Sequence, residues 1–272
     1  MGETVRWPEG KLVLGMVHLQ PLPGTPYHRE GSLQEIVETA VASARALRDG
    51  GADGCLVQTV DRVYSTGEDV DPARLAAFTL VVRAVVAATG PEFLVGVQVM
   101  RNAVRASLAV AKVTGAGFVR VGALVGATLT SHGLVQPDPL AVMEYRRKIG
   151  AWDVRIIADI ASMHFTWLGG GKPVAEVAAA ARQVGADAVA VSSPREEVAL
   201  DLVAQVRTAV PGLPILLAGH TNHDNAARLL GSPQGADGAF VGTCLERAGW
   251  GSPIDAGRVE TYLRAVRGRP GA

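Results

Sequence analysis

Short apolar runs alternate with longer stretches of helical period from one end of the chain to the other, always in the order run first, amphipathic stretch second. Runs without polar alternation mark strands buried on both faces, as parallel strands are when helices cover them. They predict strands near 12–18, 54–59, 93–98, 117–122, 155–160, 187–192, 214–218 and 237–242, with helices in the gaps. Eight strand-then-helix units predict a (β/α)8 TIM barrel, a single domain over 1–272 with the barrel proper at about 11–267.

A weak internal repeat supports that count. Gly-Ala-Asp-Gly at 51–54 recurs as Gly-Ala-Gly-Phe at 115–118, Gly-Ala-Asp-Ala at 185–188 and Gly-Ala-Asp-Gly at 235–238. Each copy ends a helix and opens every second strand, which suggests fourfold repetition of a two-unit module. Glycine can take the left-handed conformation that closes the helix. The alternative, an open doubly wound sheet, would place a G-x-G-x-x-G turn after the first strand, and none is there. Two longer segments after strands, 19–31 and 123–137, read as loops of the active face.

Composition narrows the partners. The 272 residues are 48% hydrophobic but only 5% aromatic, which suits Ala/Val/Leu helices packed on short strands. Lys+Arg and Asp+Glu balance at 26 each, so no net field draws the chain to nucleic acid or to an anionic membrane. The basic tail at Arg264, Arg267 and Arg269 reads as a solvated helix end. The longest apolar stretch, 75–88, is interrupted by Arg83 and reads as too short to insert in a bilayer. Cys55 and Cys244 read as reduced thiols of a cytoplasmic protein.

A barrel of this kind builds its site from the carboxyl ends of the strands. That rule selects His18, then Gln58, Thr59 and Asp61, then Gln98, Arg101 and Asn102, then Asp159 and His164, then His220 and Thr221. Five of six histidines (His18, His132, His164, His220 and His223) fall at strand ends or just beyond them, where they could serve as acid, base or anion donor. Asp159 ends an otherwise apolar strand and needs a partner or a shifted pKa: it is the leading proton carrier, or else the carboxylate that orients Arg120. Alternation along the strand leaves the direction of Arg120 open.

Phosphate binding is expected in the last two units, where the strands end in Gly219 and Gly242. Glycine lets backbone N–H groups approach an anion, and His220, Thr221 and Thr243 add side-chain donors. The competing explanation is that these glycines only relieve crowding. The run Leu168-Gly169-Gly170-Gly171-Lys172 reads as a flexible lid, and none of the four lysines falls where a Schiff-base aldolase needs one. No cofactor is expected. Metal-ligand spacing is missing from the sequence, although His18, Asp159 and His164 could converge on a divalent ion.

Four segments, GMVHLQPLPGTP at 15–26, GVQVMRNA at 96–103, FVRVGALVGATLTSHGLV at 118–135 and ADIASMHF at 158–165, resemble the BtpA/SgcQ family, and the similarity runs from about 11 to 262. The resemblance implies a phosphate-binding barrel; a cyanobacterial member is linked to accumulation of photosystem I proteins, and others lie in sugar-metabolism operons. His18, Arg101, Asn102, Arg120, Asp159 and His164 stand where the family shows polar strand-end residues, and Gly219 and Gly242 match its late glycines. The chain departs from the family at the mouth. Gln58-Thr59 replace Glu-Asn, Ser131-His132 replace Asp-Gln, Met163 replaces Lys, and His220-Thr221 replace Ser-Gly. These changes imply a divergent substrate or activity.

Two functions therefore stand at this level. One is an enzyme using acid/base chemistry on a small phosphorylated sugar or sugar-linked, nucleoside-like metabolite: an isomerase, a lyase or a glycosidic-bond enzyme. The other is a non-catalytic assembly or stability factor that has kept the barrel. The Ala- and Val-rich helices at 73–89 and 174–184 could also form a homodimer surface.

Overall fold

A computed structural model describes residues 10–268, so Arg269 lies outside the described residues. In chain order the elements are β1 (Leu12–Leu19), α1 (Leu33–Asp49), β2 (Gly54–Thr59), α2 (Pro72–Thr89), β3 (Leu94–Gln98), α3 (Val104–Thr114), β4 (Phe118–Val121), β5 (Thr128–Thr130) and β6 (Gly133–Val135). They continue with α4 (Pro139–Lys148), β7 (Arg155–Ala161), β8 (Phe165–Trp167), α5 (Val174–Gln183), β9 (Ala188–Val191), α6 (Glu196–Ala209), β10 (Ile215–Ala218), β11 (Gly238–Val241) and α7 (Ala256–Arg267). Eight parallel strands close into a barrel in the order β1-β11-β10-β9-β7-β4-β3-β2, so the predicted (β/α)8 architecture is the one observed.

Two local departures matter for the site. The segment 123–137 is not simply a loop: β5 and β6 form a hairpin, and β8 adds to it as an antiparallel third strand. Thr130 Oγ1 fixes the hairpin turn by accepting from the His132 N–H at 3.1 Å and donating to the Gly133 carbonyl at 3.0 Å. After β10 the chain makes a short π-helical segment, Ala227–Gly231, in place of a regular barrel helix.

Helix α2 extends beyond the apolar stretch read from sequence. Its 18 residues have a mean hydropathy of 1.4, enough by length and composition to cross a membrane. Here Ala77, Phe78, Val81, Val82 and Val85 bury one side of it on the barrel. Pro72 at its first turn and the Asp71 carboxylate, which accepts from the Ala73 and Arg74 N–H groups, fix where it starts.

The apolar residues separate into two layers. One lies between strands and helices; the other fills the barrel axis with Leu14, Met16, Leu56, Phe118, Ile157, Leu216 and Phe240. Phe118 reaches the axis because Gly96 on β3 faces it without a side chain: a Cβ there would stand 2.0 Å from the ring. Inward-facing positions on β4 are thus Phe118 and, two residues on, Arg120, which emerges at the mouth above Phe240 with its guanidinium 4.8 Å from the ring centroid.

The Gly-Ala-Asp repeat does more than turn the chain. Asp53 accepts from the Val13 N–H at 2.7 Å, Asp187 from the Ile156 N–H at 2.8 Å and Asp237 from the Ile215 N–H at 2.9 Å. Each carboxylate also holds an arginine: Arg267, Arg146 and Arg207 respectively. Three copies therefore clamp neighbouring strand starts at the amino end of the barrel. Arg267, read as solvated, is one of these clamps; the copy at 115–118 has Gly117 in place of Asp. Asp187→Ala is expected to cost about 2–3 kcal/mol, since it strands the Ile156 N–H and removes the counter-charge of the buried Arg146, which keeps only its backbone carbonyl acceptors. A thermal melt should fall by roughly 5 °C or more.

Candidate active site

The carboxyl ends of the barrel strands open into a cleft of about 1030 Å³. Strand-end residues form its floor, and β5, β6 and β8 contribute one wall. Within it Arg120 lies side-on to Asp159, its Nε 2.9 Å from Oδ1 and a terminal nitrogen 3.0 Å from Oδ2. Both carboxylate oxygens are thus held by one guanidinium, the geometry that orients an arginine most rigidly. Of the two roles open to Asp159, orienting Arg120 is the one visible as contact.

Arg101 contrasts with Arg120. It lines the same cleft and makes no ion pair among the described residues, and its buried Nε has no hydrogen-bond partner. Burial lowers its pKa, while Tyr64 and Asp159 act against that effect. Asn102 beside it is committed to structure: its Oδ1 accepts from the Ala123 N–H at 2.9 Å and its Nδ2 donates to the Ala123 carbonyl at 3.0 Å. It positions the segment after β4 more directly than it could serve chemistry.

Four of the five histidines singled out by sequence, His18, His132, His164 and His220, line the cleft. His223 does not. Its Nε2 lies 3.0 Å from the Arg258 carbonyl and its ring packs edge-on to Tyr262, because the turn after β10 points it back at α7. His164 sits at the rim with its pKa lowered, first by desolvation and then by the charges of Arg101 and Arg120; Asp159 opposes them. His132 stacks near Tyr64, ring centroids 4.8 Å apart. His220 takes a left-handed backbone (φ 60°), and its Nε2 lies 3.0 Å from Met163 Sδ.

The late glycines are not explained by crowding. A Cβ on Gly219 would meet nothing within 4 Å, although its φ of +92° favours glycine. A Cβ on Gly242 would meet only His18 and Met16 at 3.6 Å, an ordinary contact. Space is therefore left open between these two strand ends. Thr221 Oγ1 is buried beside the Tyr262 hydroxyl, with no partner in hydrogen-bonding geometry among the described residues, and Thr243 is exposed on the cleft wall. Asn225 holds the turn by donating to the His220 carbonyl at 3.0 Å and accepting from the Asn222 N–H at 2.8 Å.

Two selected residues fall behind the cleft wall instead of in it. Thr59 and Asp61 are fully buried and bound to Arg74 of α2, which also donates to the Met100 carbonyl at 3.0 Å. Asp61 further accepts from the Leu22 N–H, so the network ties the loops after β1, β2 and β3 together. Gln58 and Gln98 do reach the cleft, joined by a 2.6 Å hydrogen bond across adjacent strands.

Glu246 carries no motif in the sequence that marks it as a site residue. It is buried, with Oε1 3.9 Å from His18 Nδ1, and among the described residues neither His18 Nδ1 nor Glu246 Oε2 has a hydrogen-bond partner. Its sequence context, Glu246-Arg247, looks like a solvated pair; only the bridge between Glu246 and Ile254 folds it inward. Trp250, on the loop so formed, brings its ring to 6.0 Å from His18. Cys244 also lines the cleft, its thiol pushed up to about 11 by burial.

Among the described residues no three His, Cys, Asp or Glu side chains gather as a metal site, so His18, Asp159 and His164 do not form one as they stand. No lysine lines the cleft: Lys11 donates to the Ala236 carbonyl near the β11 entry, Lys112 pairs with Asp153, and the 168–172 glycine run lies outside the cleft lining. The cleft thus offers oriented cations, imidazoles and an open glycine-lined recess, without a Schiff-base amine.

The family model described as BtpA family matches residues 9–268. A "Photosystem I biogenesis protein BtpA" from Synechocystis is 33% identical over 93% of this chain and 87% of its own length. A protein of unassigned role from Archaeoglobus fulgidus is 32% identical over 95% of this chain and 99% of its own. Among solved structures, the tryptophan synthase α chain from Legionella pneumophila superposes with a TM-score of 0.62 at 14% identity, covering 97% of this chain and 94% of that one, a likeness of fold alone.

Proposed function

The chain belongs to the BtpA family, and from that premise we propose that it is an enzyme acting on a small phosphorylated sugar or sugar-linked metabolite by acid/base chemistry. One observation carries the reading. A single cleft holds an arginine with no ion pair among the described residues, an arginine locked by a carboxylate, and imidazoles on opposite sides, beside an open recess lined by two glycines.

In this reading the phosphate occupies the recess at Gly219, Thr221, Gly242 and Thr243, with His220 at its edge. His164, held toward its neutral form, removes a proton, and Arg120, fixed by Asp159, stabilises the oxyanion or enediolate that develops. His18, backed by Glu246, polarises the leaving group or carbonyl from the other side. Isomerisation, lyase cleavage and a glycosidic-bond reaction all use this division of labour. A Schiff-base route does not, since no lysine lines the cleft.

The name of the Synechocystis relative favours a second reading, an assembly factor that has kept the barrel. Thermal melts with ribose 5-phosphate and inorganic phosphate separate the two. A ligand at a hundred times its Kd stabilises by about 2.7 kcal/mol, a shift of several degrees. Gly242→Asp puts a carboxylate into the recess at an uncrowded position, so the variant, once its fold is checked by a melt without ligand, should lose the shift. If no phosphorylated sugar stabilises a well-folded wild type, the enzyme reading fails and the assembly reading gains.

A further inference from the structure

Charge in the cleft is distributed unevenly, and the imbalance identifies a second group on the ligand. Arg120 is matched by Asp159 at 2.9 and 3.0 Å, and Glu196 at the rim is matched by Arg228. Arg101 has no ion pair of its own among the described residues. Its Nε is buried without a partner, and the side chain is half-buried beside Arg120, Asp159, Tyr64 and His164. Half-burying a guanidinium with one donor unsatisfied costs stability, and its terminal nitrogens, which are not buried, line the cleft where an occupant can supply acceptors.

We infer that Arg101, flanked by Arg120 and His164, forms a carboxylate subsite, so that the ligand carries a carboxylate at this end and its phosphate at the glycine recess. The inference rests on the phosphate reading only for the other end of the ligand. Arg101 and Arg120 with Asp159 leave one net positive charge, which matches a carboxylate; a second phosphate dianion would be repelled by Asp159. Carboxylates also fit a guanidinium edge in a planar, two-bond geometry. The subsite faces the recess across the mouth: Arg101 follows β3, whereas Gly219 and Gly242 follow β10 and β11.

The electrostatics at His164 supply an independent readout. Arg101 and Arg120 both lower its pKa, Asp159 raises it and His220 lowers it slightly, so an anion seated on Arg101 must raise it. A carboxylate-bearing ligand should therefore move the His164 imidazole titration upward in NMR, and inorganic phosphate confined to the recess should move it less.

The test is a calorimetric panel of aldonic acid phosphates from three to six carbons (3-phosphoglycerate, 4-phosphoerythronate, 5-phosphoribonate and 6-phosphogluconate). Each is compared with the matching alditol phosphate and with the unphosphorylated acid. At least one acid phosphate should bind wild type about 10- to 100-fold tighter than its alditol counterpart. Arg101→Gln should reduce that preference to about threefold or less while alditol phosphates bind as before; Arg101→Lys should keep part of it. Both variants are checked first by their melting temperature without ligand.

If the alditol phosphates bind and no acid is preferred, or if the preference survives in Arg101→Gln, the carboxylate subsite is wrong and the phosphate reading stands. Should an acid bind equally well with and without its phosphate, losing affinity in Arg101→Gln, the subsite stands and the phosphate reading fails. Binding by no member of the panel at any chain length overturns both.

Discussion

Asp159→Ala should destabilise the protein by about 3–5 kcal/mol, the cost of leaving a nearly buried guanidinium without its carboxylate. The loss is large because Arg120 is packed where it stands: its guanidinium lies on the Phe240 ring at the barrel mouth, and its side chain is only 12% exposed. Melting by circular dichroism would show the loss. Replacing the pair together, Arg120→Met with Asp159→Leu, removes both charges at similar volume and should recover much of the stability. The double variant should nevertheless bind no sugar phosphate productively, since nothing oriented remains to receive negative charge. Recovery of stability with retained turnover would show that the pair serves only the fold. A single variant as stable as wild type would show that Arg120 finds another partner, which the bidentate geometry speaks against.

The barrel was legible in the sequence because its signal is repeated. Apolar runs at eight places and a returning Gly-Ala-Asp motif each point to the same architecture, and every barrel strand lies within two residues of its expected position. The hairpin β5–β6 was not legible, since three-residue strands such as Thr128–Thr130 carry too little alternation to stand out from a loop. Its pairing with β8 depends on a segment more than thirty residues away.

The site was legible by position and not by role. The strand-end rule reached His18, Arg101, Arg120, Asp159, His164 and Gly242, all of which line the cleft. It equally reached Thr59 and Asp61, which turn outward to grip Arg74, because the rule fixes where a residue sits and says nothing of which way the side chain leaves the backbone. Glu246 escaped for the opposite reason. It follows a short helical turn after β11, and only the folding back of 247–253 buries it beside His18. The Asp in the Gly-Ala-Asp repeat showed itself as a turn residue, and its grip on the next strand needs the closed barrel to be seen.

Under the proposed acid/base role, His164→Gln should lower turnover by about 10²- to 10⁴-fold, the range for loss of a positioned general base, with little change in melting temperature because the ring lies at the exposed rim. The pH profile carries the sharper sign. Desolvation, Arg101 and Arg120 lower the His164 pKa below its ordinary 6.5, so the neutral imidazole persists further into acid than that of a free histidine. Activity should therefore be held through neutral pH and fall on the acid side, with a midpoint below 6.5. Stability follows the same direction: a depressed histidine binds fewer protons folded than unfolded, so its contribution is present above the unfolded value and is lost as pH falls through the folded one. Arg101→Gln removes one of the charges that depress the ring, and the acid limb should move to higher pH in that variant. A limb that stays in place would remove Arg101 from the field at His164, and one that survives His164→Gln would assign the base to another imidazole of the cleft.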